Sequence, residues 1–179
     1  MNSTMSKLSV AVRKPVIKIV SKPTPVTYIG PGRAKEAGRL LQMLGAKKAL
    51  VITDSFLYQS GLLDGVEESI RSAGVEHIVY DGVQPDPTFA IVAEAQKACS
   101  GCDAVVAVGG GSVMDTAKAV AAAVANHTSA EALAGMLKVR RRPLPLIAVP
   151  TTAGTGSETT VAAIISDSAT HSKKQLLDP

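Results

Sequence analysis

Residues Asp103 to Ala125 read DAVVAVGGGSVMDTAKAVAAAVA, and no other stretch restricts the fold as much. Asp103 to Val108 is a short, valine-rich apolar run, the pattern of a strand buried on both faces of a parallel sheet. Gly109, Gly110 and Gly111 follow at once, and an alanine-rich helix begins near Ser112. Strand, glycine turn and helix start together form an anion cradle. Glycines let the backbone approach a phosphate, and the helix N-terminus offers free N–H groups at the positive end of its dipole. Ser112, with Asp115 three residues on, resembles a capping box. The stretch therefore predicts a phosphate-binding turn for a dinucleotide, against the plainer alternative of a tight strand-to-helix connection. It is not G-x-G-x-x-G, because Met114 stands where the third glycine would be, and no G-K-[ST] follows to make a P-loop.

The rest of the chain repeats the same alternation. A short strand is expected at Val26 to Ile29, a helix from about Ala34 to Leu44 with Leu40, Leu41 and Leu44 on one face, and a strand at Lys48 to Thr53 with Asp54 at its carboxyl end. A helical stretch follows from about Ser55 to Ala73, then a strand at Glu76 to Tyr80. The turn Gln84-Pro85-Asp86-Pro87-Thr88 opens a helix through Ala98. After the glycine turn and its helix come a helical piece at Ala130 to Leu137, a strand at Leu144 to Val149 and a strand from about Thr160 to Asp167. The last dozen residues read as polar chain without an element. Strands alternating with helices specify right-handed βαβ crossovers, hence an α/β fold: a doubly wound, mostly parallel sheet of Rossmann-like variant type. Two segments are expected, a tail or edge strand over residues 1–22 and a dinucleotide-binding domain over residues 23–179.

In such sheets ligands sit beyond the carboxyl ends of the strands. Asp54, Asp86, Gly109 to Ser112 and Thr151 to Glu158 all fall at that edge. A carboxylate at Asp54 can accept from both hydroxyls of an adenosine ribose and would repel a 2′-phosphate, which favours NAD over NADP. It lies 55 residues before the glycines rather than about 20 after them. A cap for the following helix is the other reading of Asp54, and residues alone leave both open. Thr151, Thr152 and Thr155 offer neutral donors and acceptors for a nucleotide, or bonds within their own turn. Asp115 and Lys118, three apart on a helix, could simply pair.

Composition removes several classes. Hydrophobic residues make up 46% of the 179, so the chain is globular. With no tryptophan, three tyrosines and two phenylalanines, it has no stacking surface for single-stranded nucleic acid. Lys7, Arg13, Lys14, Lys18 and Lys22 open the chain without an acid among them, and Arg140 to Arg142 form a basic loop, but the net charge of +4 is modest. Solvated surface accounts for both, and no nucleic-acid or membrane partner is expected. No apolar run approaches the ~18 residues of a membrane span and no secretory core is visible, which gives a cytoplasmic expectation. Cys99 and Cys102 form a C-x-x-C with no second ligand pair, so they read as structural. His77, His127 and His171 are far apart, with no metal-ligand spacing around them.

Four motifs together resemble one family: GGGSVMDTAK (Gly109 to Lys118), PTTAGTGSE (Pro150 to Glu158), TDS (Thr53 to Ser55) and PDPT (Pro85 to Thr88). They are similar to the iron-dependent, or group III, alcohol dehydrogenases, over roughly residues 24–179. The first motif is shared with glycerol dehydrogenases and dehydroquinate synthases, whereas the second is far more specific. The resemblance implies an N-terminal dinucleotide-binding domain and a C-terminal helical domain that holds the metal. It places Asp54 by the adenosine ribose, Gly110, Gly111 and Ser112 around the pyrophosphate, and Thr151 and Thr152 on the nucleotide. Ile164 and Lys173 lie beside it, on the following strand and loop. Asp86 stands where the family often has asparagine, which keeps an acceptor and adds charge. The family's metal ligands, one aspartate and three histidines, belong to segments beyond Pro179, so Fe²⁺ or another divalent metal is expected only with that second half.

The function so implied is hydride transfer between a nicotinamide cofactor and an alcohol, aldehyde or ketone. A homo-oligomer of the full-length enzyme is implied as well. A zinc-type glycerol or polyol dehydrogenase and a non-catalytic nucleotide-binding module are the alternatives.

Overall fold

The computed structural model describes residues 25–177. The tail or edge strand expected over residues 1–22 lies outside them. After a 3₁₀ turn at Arg33–Glu36 come α1 (Ala37–Met43), β1 (Lys48–Ile52), α2 (Ser55–Gln59), α3 (Asp64–Ser72), β2 (Glu76–Tyr80), α4 (Phe89–Ala98), β3 (Ala104–Gly109) and α5 (Gly111–Asn126). A second 3₁₀ turn at Glu131–Leu133 leads to β4 (Gly135–Met136), β5 (Leu146–Pro150), β6 (Ala162–Asp167) and β7 (Ser172–Leu177).

β2, β1, β3 and β5 hydrogen-bond in that order as one wholly parallel sheet. The two central strands are apolar from Ala49 to Ile52 and from Ala104 to Val108 because both faces are covered there. Leu50, Ile52, Val105 and Ala107 pack with Val92 and Ala95 of α4 and Val113, Met114 and Val120 of α5. Ala49, Val51, Val106 and Val108 alternate with them and pack with Ala37 and Leu41 of α1 and Val66 and Ile70 of α3. Period-two alternation thus sends successive residues to two separate aliphatic layers, each buried Val, Leu or Ile contributing roughly 1.5–3 kcal/mol. The sheet is doubly wound, with helices on both faces.

β4, β7 and β6 form a second, three-stranded sheet. β6 and β7 are an antiparallel hairpin, Ala162 facing Leu177 and Asp167 facing Ser172. The strand β7 was not expected, because SKKQLL carries no apolar alternation. Leu176 is its one buried residue, while Lys173 and Gln175 face solvent.

Four further expectations change, the first being the helical piece at Ala130 to Leu137, which is the 3₁₀ turn Glu131–Leu133 followed by strand β4. Val26 to Ile29 is not a strand: Val26 and Ile29 are 83% and 87% exposed, and no described segment pairs with them. The helix expected from Ser55 to Ala73 is two helices, because Gly61 takes φ 74° and breaks the ladder between them. On α1 the buried face is Ala37, Gly38 and Leu41, and Leu44 is 52% exposed. The reason is Gly38, whose missing side chain lets the backbone of Ser69 on α3 come so close that an added Cβ would sit 1.9 Å from its carbonyl oxygen.

Candidate functional site at the carboxyl rim

β1 and β3 lie side by side at the centre of the sheet, with the chain running outward to β2 on one side and to β5 on the other. That is a topological switch point, where parallel sheets open a crevice beyond the strand ends. It also explains the inverted spacing of Asp54 and the glycines. In the usual dinucleotide order the glycines end the first strand and the acid the second. Here the acid ends β1 and the glycines end β3, its neighbour. Thr53, fully buried, ties the two ends together by donating its hydroxyl to the Val108 carbonyl at 2.8 Å.

Asp54 caps α2: its Oδ1 accepts from the Leu57 N–H at 2.9 Å. The capping alternative therefore describes the structure, and it engages one of the two carboxylate oxygens. Beyond β3, α5 starts at Gly111 with Gly110 as its cap residue and no side-chain cap. The capping box expected from Ser112 and Asp115 is not formed. The helix begins one residue early, so Ser112 sits inside the first turn and its carbonyl accepts the Thr116 hydroxyl. The first amides of α5 carry no side-chain cap, as an anion-binding terminus requires.

The second glycine loop lies against the first. Gly109 and Pro150 are register partners, and the Thr151 N–H donates to the Gly109 carbonyl at 3.0 Å. A Cβ on Gly110 would meet Thr152 Oγ1 at 2.9 Å, and one on Gly111 would meet the Thr155 methyl at 3.5 Å. Thr151 and Thr152 are exposed at this rim. The bonds internal to the loop use Thr155 and Thr159 instead: the Ser157 N–H donates to Thr155 Oγ1, and the Thr159 hydroxyl to the Gly156 carbonyl.

Asp86 and Lys173 meet each other. Lys173 Nζ stands 2.7 Å from Asp86 Oδ1, with both side chains largely in solvent. Asp86 takes φ 53°, a left-handed conformation that aspartate and asparagine tolerate better than most residues. Lys173 is on strand β7 rather than in a loop. The turn holding Asp86 is fastened to β6 by the Ser166 N–H, which donates to the Pro87 carbonyl at 2.8 Å. Ile164, 41% exposed on β6, donates its N–H to Asp115 Oδ2 at 3.1 Å. The rim thus brings together Gly110 with Thr152 and Asp86 with Lys173, and links Ile164 to the glycine helix.

Sequence reasoning missed how far Asp115 and Lys118 reach. Asp115 also accepts the Ser157 hydroxyl, and Lys118 Nζ donates to Thr160 Oγ1 at 2.9 Å and the Ala162 carbonyl at 2.8 Å. Burial pulls the Lys118 ammonium below its usual range, and Asp115 and then Glu158 act against that. The D-x-x-K spacing was visible, but partners some 40 residues away were not. Lys118 also borders a mainly apolar cavity of about 240 Å³ with Ala121, Leu144, Leu146 and Ala163. A more polar cavity of about 580 Å³ adjoins Lys173, with Phe89, Lys138 and Lys174 in its wall. Gly109 to Ser112 line neither of these two, and the second loop reaches the first cavity through Glu158.

Among the described residues no group of three or more His, Cys, Asp or Glu side chains could hold a metal ion. No helix there is long and apolar enough to cross a membrane. Cys99 and Cys102 are free and buried.

Known proteins match this arrangement. The family model described as iron-containing alcohol dehydrogenase matches residues 23–179. The NAD-dependent methanol dehydrogenase of Bacillus methanolicus is 43% identical over 156 residues, 86% of this chain and 41% of the relative. An alcohol dehydrogenase from Oenococcus oeni superposes with TM-score 0.82 at 36% identity, over 88% of this chain and 42% of the other. Sulfoacetaldehyde reductase from Bifidobacterium kashiwanohense, solved in complex with NAD⁺, gives TM-score 0.77 at 29% identity, over 88% and 43%. The chain therefore spans about two fifths of the length of the relatives it matches.

Proposed function

This chain belongs to the iron-containing alcohol dehydrogenase family, and from that premise we propose that it forms the coenzyme-binding part of an NAD-dependent oxidoreductase acting on a small alcohol or aldehyde. The observation that carries the proposal is the contact between the two glycine turns, Gly110 against Thr152, at one rim of a parallel sheet and at the start of a sixteen-residue helix. The residues fit a dinucleotide. The Gly110 to Ser112 backbone supplies N–H donors at a helix N-terminus for the diphosphate, each worth a fraction of a kcal/mol to about 1 kcal/mol in dipole terms. The Thr151 and Thr152 hydroxyls lie across the turn from them. Asp54 takes the adenosine ribose with the carboxylate oxygen not used in its cap. Asp86, Ile164 and Lys173 flank the far side of the coenzyme. Residues 23–179 act as the dinucleotide-binding domain.

When bound, the nicotinamide supplies the hydride acceptor or donor for a carbinol or carbonyl carbon. This chain's own part is orientation. Paired turns fix the diphosphate, and the rigid aliphatic sheet beneath them fixes the turns. For the iron of the family name the described residues offer no ligand set. NAD is favoured over NADP by Asp54, whose charge opposes a 2′-phosphate. The NAD-dependent relative and the NAD⁺-bound neighbour support the same choice. The family match favours an alcohol dehydrogenase over a polyol enzyme. A cytoplasmic setting suits two free, buried thiols. A homo-oligomer of the whole enzyme, with neither nucleic acid nor membrane as partner, completes the reading.

Titration calorimetry of the chain with NADH and NADPH, beside a turnover assay with and without Fe²⁺, tests this. Tighter binding of NADH than of NADPH is expected. Absence of binding to either overturns the reading. Binding without turnover under both metal conditions leaves the coenzyme-holding role alone, the activity of a nucleotide-binding module.

A further inference from the structure

Asp115 and Lys118 stand one turn apart on α5, within two turns of the glycine turn that begins the helix. Between them they hold four points of a single later segment. Asp115 accepts the Ser157 hydroxyl and, through Oδ2, the Ile164 N–H at 3.1 Å. Lys118 Nζ donates to Thr160 Oγ1, to the Ala162 carbonyl and, at 3.4 Å, to Ser157 Oγ. The two side chains are 14% and 16% exposed and stand 3.5 Å apart. A solvent-facing i, i+3 pair would contribute a few tenths of a kcal/mol to its own helix. This pair is largely shielded and aims most of its bonds off the helix.

The loop they hold leaves the sheet at Thr151, whose N–H bonds to Gly109, and rejoins regular structure at Ala162. It is therefore tied at one end by the sheet ladder and at the other by α5. The helix whose first amides face the rim also sets the position of the loop that faces them. Glu158 adds to this arrangement. Its Oε2 is buried with no hydrogen-bond partner among the described residues, and its charge acts on Lys118. The ammonium thus lies under the influence of two carboxylates, which keeps a cation in a desolvated place.

We infer that Asp115 and Lys118 are positioning residues for the coenzyme, a clamp from the phosphate helix that sets the distance between the Thr151–Thr152 hydroxyls and the Gly110–Ser112 amides. This rests on the coenzyme reading above. A loop held in register before binding loses less freedom when the diphosphate arrives, so the clamp acts on affinity without touching the ligand. Asp115 sets the register through the loop end and β6, and Lys118 neutralises and spans the same points.

The test is hydrogen exchange of the full chain, read segment by segment, together with NADH calorimetry, for wild type, Asp115→Ala, Asp115→Asn and Lys118→Met. In Asp115→Ala and Lys118→Met, exchange over residues 152–164 is expected to rise about tenfold or more while residues 104–109 stay protected, because buried partners lose their bonds locally. The NADH dissociation constant should rise by a similar factor, and saturating NADH should restore the lost protection. Asp115→Asn keeps an acceptor for the Ile164 N–H and should fall between wild type and alanine. Unchanged exchange over 152–164 overturns the clamp, and so does an equal rise over 104–109, which would mark general destabilisation. A local rise with unchanged NADH affinity overturns the positioning role. If wild type binds no NADH, the coenzyme reading fails and takes that role with it. Exchange without ligand still decides whether the clamp exists.

Discussion

At Asp54 a single carboxylate ends β1, caps α2 through the Leu57 N–H and, in the proposed function, faces a ribose. Those roles separate by substitution. Serine is as good a helix cap as aspartate but carries no charge. Asp54→Ser is therefore expected to keep thermal stability while lowering the preference for NADH over NADPH about tenfold, or ~1.4 kcal/mol. Calorimetry with both coenzymes measures it, and an unchanged ratio removes Asp54 from the ribose. Asp86 poses the opposite question. Its charge is countered by Lys173 at 2.7 Å, and both groups are more than half exposed. If Lys173 serves the coenzyme, Asp86 competes with that anion. Asp86→Asn should then tighten NADH binding up to about fivefold at low salt, the range of an exposed pair. The gain should fade at high ionic strength. Weaker binding in Asp86→Asn would instead make its carboxylate a ligand of the coenzyme.

At the scale of elements, the two helical layers serve different ends. α4 and α5 lie on the face whose helix start meets the rim, and α1 and α3 cover the other face. The second layer depends on a close approach: the Gly38 N–H donates to Ser69 Oγ at 3.1 Å, and there is no space for a side chain. Gly38→Ala should force α1 away from α3 and cost about 2–3 kcal/mol in urea unfolding. NADH affinity at 25 °C should hardly change, since the rim is built from the central strands and α5. A large loss of affinity in that variant would show that the far layer, too, sets the spacing of the turns.

For the molecule as a whole, the titration of buried groups gives stability a defined pH dependence. Burial, and then the neighbouring Cys102, pushes the Cys99 thiol up to about 12, and burial, then Glu94, pushes the Tyr80 hydroxyl to about 12. Both are raised above their unfolded values, so the unfolded chain releases these protons first. Their contribution is whole below about pH 9 and is lost as pH climbs toward 12. Lys118, lowered by burial, acts in the opposite sense. The urea midpoint should fall between pH 8 and pH 10, and fall less in Cys99→Ala, whose loss of packing is the same at both values. Equal slopes in the two proteins would show that Cys99 does not titrate differently on folding. The same raised pKa predicts that thiol reagents at pH 8 label the cysteines only after unfolding.

The amino-acid sequence by itself determined the alternation of strands and helices, the parallel sheet and the rim where the unusual residues gather. These follow from forces acting within a few residues: an apolar run such as Val105–Val108 is buried on both faces, glycines end it, and an alanine-rich helix follows. The family motifs were legible for the same reason, as contiguous stretches. Tertiary structure alone decided which groups meet. Asp115 turned from a supposed cap to Ser157 and Ile164, Lys118 to Thr160 and Ala162, and Asp86 to Lys173. β7 became a strand because β6 on one side and β4 on the other offered it partners. A hydrogen bond between residues 40 or more positions apart depends on which strands adjoin and how the connections cross, and no local pattern carries that information.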